Sequence, residues 1–287
     1  MPKRLDVSWD VPTTDIALSR FKRYLEGQGF RDATITNYIS VCKIYLEWAG
    51  TDEPSISQAE AFRDSLLERK RARSTINNYS FTVKRYHEML GEEFSFPFLK
   101  RNNQIPHFFD AEDVQRIFDV IDNLKHLALL QTAFYGCLRA SEVCNLDDED
   151  LDLSRLRLTI REGKGGQDGI AYLSDEAAKT LREYLRVRPP LLIDGRRPLF
   201  FSDYGQRMHR RDIYRIFIKY KKRAGIEKAG GVHVFTRHSS ASIMIANGCD
   251  ILTIQQLLRH KDPHTTFRYM HMCDETRRSN YNKFLRL

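Results

Sequence analysis

The sequence predicts a mainly helical protein of two domains, the second of which carries one small antiparallel sheet. Along most of the chain apolar residues recur at helical spacing, as in Ile35, Tyr38, Ile39, Cys42, Tyr45 and Leu46. Two short segments, 156–160 and 170–173, alternate instead and flank the glycine-rich stretch 163–166, as the strands of a hairpin do. Periodicity is lost over residues 92–108, which contain two prolines.

This break divides the chain into candidate domains. The 287 residues are enough for two cores. We place the first domain at residues 1–95, a linker at 96–108 and the second domain at 109–287. In the first domain we expect four helices. The first reaches the breakers Gly27 and Gly29, the second ends at Gly50, and the fourth covers residues 75–90 and ends at Gly91. Ser57 and Glu60 form a capping-box pattern for the third.

The second domain is expected to begin with helices from residue 110 to about 138. After the hairpin, helices are predicted near 175–187, 209–223, 237–247, 250–259 and 264–271.

The chain is basic, with a net charge of +8 and an isoelectric point near 9.2, which favours a polyanionic partner. Its five cysteines form no C-x-x-C pair, so the sequence indicates neither a zinc knuckle nor a disulfide framework. The Met-Pro-Lys-Arg start lacks an apolar signal core, and no apolar run approaches membrane-spanning length. We therefore expect a soluble cytoplasmic protein.

Three sequence contexts hold residues suited to chemistry on a phosphate. Arg139 lies in Cys-Leu-Arg-Ala-Ser-Glu, Arg237 in His-Val-Phe-Thr-Arg-His, and Tyr269 in Thr-Thr-Phe-Arg-Tyr-Met-His. A phosphodiester resists attack because its anionic oxygens repel a nucleophile, and two guanidiniums that clamp those oxygens offset the repulsion. Glu142, three residues after Arg139, lies on the same helical face and is expected to brace it. Thr265 and Thr266 are expected to cap the helix of Tyr269.

These motifs resemble those of the tyrosine recombinases, the integrase and Xer family of site-specific DNA recombinases, whose patterns include G-L-R-x-S-E and T-T-x-x-Y-x-H. The resemblance covers nearly the whole chain and is specific in its second half. It implies a mainly α fold, in which a helical SAM-like core-binding domain and a helical catalytic domain with a small antiparallel sheet form a C-shaped clamp around duplex DNA. It further implies that Tyr269 attacks DNA to form a 3′-phosphotyrosyl link, with no metal or other cofactor.

The resemblance also assigns roles to Lys164, His233 and His260. A lysine in the hairpin turn, here Lys164, protonates the leaving 5′ oxygen. His260 donates a hydrogen bond to the phosphate, although Arg259 replaces the glycine of the usual L-L-G-H. His233 stands four positions before Arg237, where the family motif H-x-x-R has three. Either the helix start is locally extended or His233 lies outside the catalytic position. His238 is expected to support packing.

Side chains suited to DNA contacts fall in two regions. The basic run 69–73 precedes Thr-Ile-Asn-Asn-Tyr at 75–79, which repeats Thr-Ile-Thr-Asn-Tyr at 34–38. The repeat is either two helices with a common start signal or a duplicated hairpin with two DNA-binding faces. The predicted helix near 209–223, to which we also assign Arg207, is a candidate for groove entry. We assign DNA contact to Arg69, Arg71, Arg73, Asn77, Asn78, Lys84, Arg207, Arg210, Arg211 and Arg215.

Other functions stay open at this stage. The acidic stretch 147–152 suits Mg²⁺ in a nuclease, but it falls where helix caps and turns are commonly acidic, so we assign no metal site. A type IB topoisomerase-like enzyme would make the same cut and relax DNA. A catalytically silent clamp would only bind it. The biological task (integration, excision, dimer resolution or plasmid maintenance) is not specified.

The resemblance also concerns assembly. Strand exchange through a four-way junction needs four active sites, which implies a homotetramer on two specific DNA sites, associated with the nucleoid. The tail, residues 273–287, either docks on a neighbouring protomer or packs on its own domain.

Overall fold

A computed structural model of the protein describes residues 13–100, 107–161, 168–267, 269 and 281. It confirms a mainly α fold with one small antiparallel sheet. The chain divides into two compact units, Met1–Asn102 and Asn103–Leu287. Lys164 with its glycine-rich turn, residues 101–106 of the expected linker, and the tail apart from Tyr281 lie outside the described residues.

Within residues 13–100 the first unit has four helices: α1 (Thr13–Gly27), α2 (Asp32–Ala49), α3 (Ile56–Glu68) and α4 (Arg73–Leu90). Gly50 and Gly91 end α2 and α4 in the left-handed conformation, which glycine adopts without strain. The predicted cap of α3 was wrong by two residues. Ser55 and Gln58 form the capping box, because the Gln58 N–H donates to Ser55 Oγ and the Ser55 N–H donates to Gln58 Oε1.

The two copies of the internal repeat lie near the starts of α2 and α4. Ile35 and Ile76, at equivalent positions, are both buried in the core of this unit. Asn37 Nδ2 donates to Asn78 Oδ1 at 3.3 Å, which joins the two copies directly. The repeat therefore has a packing role, since both isoleucines fill one core.

The second unit begins with α5 (Ala111–Asp119), α6 (Leu124–Tyr135) and the short α7 (Ala140–Cys144). Strands β1 (Leu151–Asp152), β2 (Arg157–Ile160) and β3 (Gly169–Tyr172) pair in that order, all antiparallel. The remaining helices are α8 (Asp175–Val187), α9 (Arg210–Arg223), α10 (Ser240–Ala246), α11 (Ile251–Leu257) and α12 (His264–Phe267). A π-helix, Val234–Ser239, leads directly into α10.

Two apolar clusters hold this unit together. The larger one contains the rings of Phe118, Phe134, Phe217 and Phe235, which contact one another. The smaller one consists of Cys137, Ala241, Ile245, Ile254, Leu258 and Tyr269. Because Phe235 belongs to the π-helix, its packing in the larger cluster anchors the segment that carries Arg237.

Arginines neutralise the acidic stretch between α7 and β1. Asp147 pairs with Arg207 at 2.6 Å, and Asp150 pairs with Arg161 at 2.6 Å. Asp148 pairs with Arg188 through two bonds of 2.8 and 2.6 Å. These carboxylates serve as caps and ion-pair partners in the fold. No helix within the described ranges is both long and apolar enough to cross a membrane.

Candidate active site

Arg139 immediately precedes α7 and is held by Glu142 through both its backbone and its side chain. Its backbone N–H donates to Glu142 Oε2 at 2.8 Å, and its Nη1 donates to Oε1 at 2.5 Å. The Glu142 side chain is only 4% exposed. Burial by itself raises the pKa of Glu142, but the charge of Arg259 and the bonds from Arg139 outweigh burial and hold that pKa below its ordinary value. The carboxylate is therefore ionised and fixes the direction of the Arg139 guanidinium.

Arg237 lies in the π-helix and is 1% exposed. Its Nη1 donates to the Cys137 carbonyl at 2.8 Å, and its Nη2 donates to the Leu258 carbonyl. Burial, and next the positive charge of Arg139, lower the pKa of Arg237 to about 10. The guanidinium thus remains charged at neutral pH, and two carbonyls hold it in place.

A third arginine, Arg259, belongs to the same site, which was not predicted from the sequence. Its Nη2 donates to Glu142 Oε2 at 2.9 Å and to the Cys137 carbonyl at 3.1 Å. Its Nη1 donates to the Leu257 carbonyl at 2.9 Å. A Cβ added to Gly169 would lie 2.6 Å from Arg259 Cδ, so glycine permits the start of β3 to approach this side chain. The signal in the sequence was the replacement of the family's glycine by a charged residue.

Cys137 and Arg259 both adopt the left-handed backbone conformation, with φ of 48° and 52°. This region costs a residue with a side chain about 1–2 kcal/mol. The family patterns have glycine at both positions, G-L-R-x-S-E and L-L-G-H, so this chain keeps the two turns without glycine. The Cys137 turn presents its carbonyl to both Arg237 and Arg259.

The π-helix accounts for the unusual spacing of His233 and Arg237. A π-helix closes i→i+5 hydrogen bonds, so each turn takes up more residues than a turn of α-helix does. The extra residue between His233 and Arg237 lies in this widened turn, Val234–Ser239, which starts directly after His233. The local extension that we considered is therefore present. His233 is exposed, and its ring lies 5.0 Å from that of His238, centroid to centroid.

Tyr269 belongs to the smaller apolar cluster and is 1% exposed. Its hydroxyl forms a hydrogen bond of 2.5 Å with Nδ1 of His238. We expected His238 to support packing alone, but the histidine also bonds directly to the tyrosine that the motif marks as the nucleophile. The sequence held one signal for it, the position of His238 beside Arg237.

His260 follows the left-handed turn at Arg259. Its Nδ1 forms a hydrogen bond of 2.9 Å with Thr266 Oγ1. Thr265 and Thr266 lie inside α12, so they do not precede the helix as caps. Thr266 is fully buried and orients the His260 ring instead, while the Tyr269 N–H donates to the Thr266 carbonyl at 3.0 Å. One residue thus links His260 to Tyr269.

The DNA-contact candidates of the first unit lie in the turn between α3 and α4 and along α4. Arg69, Arg71 and Arg73 are exposed there. The Asn77 amide both donates to and accepts from the backbone of Leu99, each at 2.9 Å, and Lys84 pairs with Glu88 at 3.7 Å. Asn77 therefore also ties down the segment that follows α4.

In the second unit the candidates surround the start of α9. Arg210, Arg211 and Arg215 are exposed on this helix. Arg207 lies before the helix, contrary to our expectation that it belongs to it, and it pairs with Asp147. Contacts between these residues and DNA stay a prediction.

The chain is similar to proteins of known type. The sequence model of the phage integrase family matches residues 107–276. The tyrosine recombinase XerA of Thermococcus kodakarensis is 29% identical over 277 residues, which cover 93% of this chain and 94% of the relative. The crystal structure of XerA recombinase is 26% identical, with a TM-score of 0.57, and covers 96% of this chain and 99% of that one. The Tn1549 transposon integrase, in complex with circular intermediate DNA, has the same fold, with a TM-score of 0.71 at 17% identity and coverage of 93% and 99%.

Proposed function

The chain belongs to the phage integrase family, and we propose that it is a site-specific DNA recombinase that cuts and rejoins strands through a phosphotyrosine intermediate. The observation that carries this proposal is the convergence of arginine side chains beside Tyr269. Arg237 donates to the carbonyls of Cys137 and Leu258, and both of these residues belong with Tyr269 to the smaller apolar cluster.

Each side chain has a defined task in the proposed reaction. Arg139 and Arg237 clamp the nonbridging oxygens of the scissile phosphate and stabilise the charge that builds up in the transition state. The Tyr269 oxygen bonds to phosphorus while the bond from phosphorus to the 5′ oxygen breaks. The products are a 3′-phosphotyrosyl link and a 5′-hydroxyl. Because the ester conserves the energy of the broken bond, a 5′-hydroxyl from a partner strand can reverse the step without a cofactor.

Three other residues assist this step. Lys164 donates the proton that the leaving 5′ oxygen needs. His260, whose ring is oriented by Thr266, donates a hydrogen bond to the phosphate. His233 adjoins the phosphate from the start of the π-helix. Since Tyr269 is 1% exposed, attack also requires that DNA binding make this tyrosine accessible.

The protein's partner is double-stranded DNA that carries its recombination sites. The first unit grips the backbone through the turn between α3 and α4, and the second unit contributes the start of α9. Exchange passes through a Holliday junction, so four protomers assemble on two sites. The enzyme acts in the cytoplasm, where it associates with the nucleoid.

The proposal is tested by covalent trapping. Wild-type protein and the Tyr269→Phe variant are incubated with nicked DNA fragments from the host replicon. A nick beside the cut lets the 5′-hydroxyl fragment diffuse away, so the covalent complex accumulates. We expect a denaturant-resistant protein–DNA band with the wild type and none with Tyr269→Phe, while both proteins retard the same DNA.

Other outcomes would replace the proposal. Binding without a covalent band in the wild type would indicate a silent clamp. A band that persists in Tyr269→Phe would move the nucleophile to another residue. Relaxation of a supercoiled plasmid, without any exchange between two trapped sites, would indicate topoisomerase activity.

A further inference from the structure

We infer that His238 is the base that takes the proton from Tyr269 when the tyrosine attacks DNA. This inference rests on the proposed function and adds a catalytic residue to it. A tyrosine hydroxyl has an ordinary pKa of about 10 and is protonated at neutral pH, so the attacking oxygen needs a proton acceptor. Histidine, with an ordinary pKa of about 6.5, is neutral in a useful fraction of molecules at that pH.

The geometry places this proton acceptor within hydrogen-bond distance of the Tyr269 hydroxyl, the atom that would attack. Nδ1 of His238 lies 2.5 Å from the Tyr269 hydroxyl, within the reach required of a general base. The ring centroids are 5.7 Å apart. When His238 carries its ring proton on Nε2, Nδ1 accepts the tyrosine O–H. Because Tyr269 is packed among apolar side chains, water competes little for this bond.

The backbone holds His238 in register with the phosphate clamp. His238 follows Arg237 in the π-helix, and Ser242 Oγ donates to the His238 carbonyl at 2.7 Å. The ionisable groups near the pair come from several elements. The His233 ring contacts that of His238, the Cys137 thiol shares the cluster of Tyr269, and the Arg237 guanidinium is bonded to carbonyls of that cluster.

The proton balance of the step is complete. As the Tyr269 oxygen bonds to phosphorus, its proton moves to Nδ1 and His238 becomes an imidazolium. The leaving 5′ oxygen receives a separate proton, which the proposed function assigns to Lys164. On rejoining, the 5′-hydroxyl attacks phosphorus and gives its proton to the now neutral Lys164 amine, while the imidazolium returns its proton to the departing tyrosine oxygen, as microscopic reversibility requires.

A histidine–tyrosine bond alone is not evidence of catalysis, since the described residues contain two others. His126 Nδ1 bonds the Tyr220 hydroxyl at 2.9 Å, and His87 Nε2 bonds the Tyr45 hydroxyl at 2.8 Å. The His238–Tyr269 pair differs from these two because His238 directly follows Arg237 and Tyr269 lies in the motif that resembles the family's T-T-x-x-Y-x-H. The His126–Tyr220 pair, in the same unit, supplies the matched control.

The test compares His238→Asn with His126→Asn and the wild type on a synthetic nicked site recovered by the covalent trapping. Asparagine offers an oxygen that keeps the hydrogen bond from tyrosine but does not take its proton. Each protein is also given the same DNA with sulfur in place of the scissile 5′ oxygen. A thiolate leaves without a proton, so this substrate isolates activation of the tyrosine.

We expect His238→Asn to form the covalent complex about 100-fold more slowly on both substrates, with DNA affinity unchanged. Its rate should lose the rise with pH that titration of a histidine base causes and should increase instead only in the alkaline range where a tyrosine ionises. His126→Asn should match the wild type in rate and pH profile.

Three results would overturn the inference while the Tyr269-dependent band persists in the wild type. An unchanged rate and pH profile in His238→Asn would exclude a base at this position. Recovery on the sulfur substrate would assign His238 to the leaving group. A faster rate would show that the contact restrains Tyr269. Absence of the band from the wild type would instead reject the proposed function itself.

Discussion

At the residue scale, the site depends on one buried carboxylate shared by two arginines. Glu142 Oε2 accepts from the Arg139 backbone at 2.8 Å and from Arg259 Nη2 at 2.9 Å. Breaking a buried ion pair by removing one partner is costly, because the remaining charge stays in a poorly solvated place. Arg259 therefore helps to orient Arg139 without contacting it, and we propose that it is a positioning residue for cleavage.

Arg259→Gly tests this role. Glycine relieves the left-handed backbone at this position, which offsets part of the stability lost with the side chain. We expect the rate of covalent complex formation to fall about tenfold or more, with a smaller change in DNA affinity, and Arg259→Lys to restore part of the rate because it keeps the charge. The rates are measured on the trapped site.

The matched control is Asp194→Gly, since Asp194 also has φ of 52° and lies in an exposed loop. It relieves the same backbone strain without altering the site, and its cleavage rate should stay at the wild-type level. A wild-type rate in Arg259→Gly would remove Arg259 from the site.

At the element scale, the π-helix Val234–Ser239 is the segment on which the site depends most. It carries Arg237 and His238. The i→i+5 pattern is rare in proteins as a whole, but where it occurs it is often part of a functional site. The segment before the π-helix leaves no space for a side chain at Gly230. Gly230 has φ of 140°, and a Cβ there would lie 2.9 Å from Val234 Cβ and 3.2 Å from Phe109 Cζ. Glycine at this position therefore allows the π-helix to begin against the core.

Gly230→Ala should destabilise the second unit by about 1–3 kcal/mol, because it combines backbone strain with a clash. The expected result is a lower urea midpoint by circular dichroism and slower cleavage. Gly27→Ala is the control, since a Cβ there meets nothing within 4 Å and its φ is not positive. Both tryptophans, Trp9 and Trp48, belong to the first unit, Met1–Asn102, so their fluorescence should be unchanged. Equal stability of Gly230→Ala and wild type would contradict this account.

At the scale of the whole molecule, each of the two units exposes a group of arginines. The net charge is +8, and exposed arginines occupy the turn between α3 and α4 in one unit and the start of α9 in the other. Acidic residues 147, 148 and 150 are already paired with arginines inside the second unit. The basic side chains at the two exposed places are therefore the candidates for phosphate contact.

Salt dependence of binding to nonspecific duplex DNA measures these contacts. Each phosphate contact that is lost should lower the slope of log affinity against log salt by about 1. Arg69→Ala with Arg71→Ala should therefore lower it by about 2. Lys179→Ala with Arg186→Ala, an equal change of charge at exposed positions of α8, should have little effect. Equal loss in both double variants would mean that net charge, and not these arginines, governs binding.

Local patterns in the sequence sufficed for most helices and for the central hairpin. Apolar spacing and glycine stops predict α2 and α4, and alternation predicts β2 and β3, because these signals repeat over several residues. Strand β1 was not predicted, because its two residues are too few to show an alternating pattern. The motifs around Arg139, Arg237 and Tyr269 are likewise local, so they could be found without a structure.

Only the tertiary structure decided which side chains meet. Glu142 and Arg259 are 117 positions apart, and His238 and Tyr269 are 31 apart. No spacing rule links such pairs, because they meet only when the residues that follow α11 and α12 reach the π-helix and α7. In the sequence, the only sign of the π-helix was that the spacing from His233 to Arg237 is one residue longer than in the family motif H-x-x-R. The sequence determined the family and the chemical groups, while packing decided that Arg259 shares the Glu142 carboxylate with Arg139 and that His238 bonds to the Tyr269 hydroxyl.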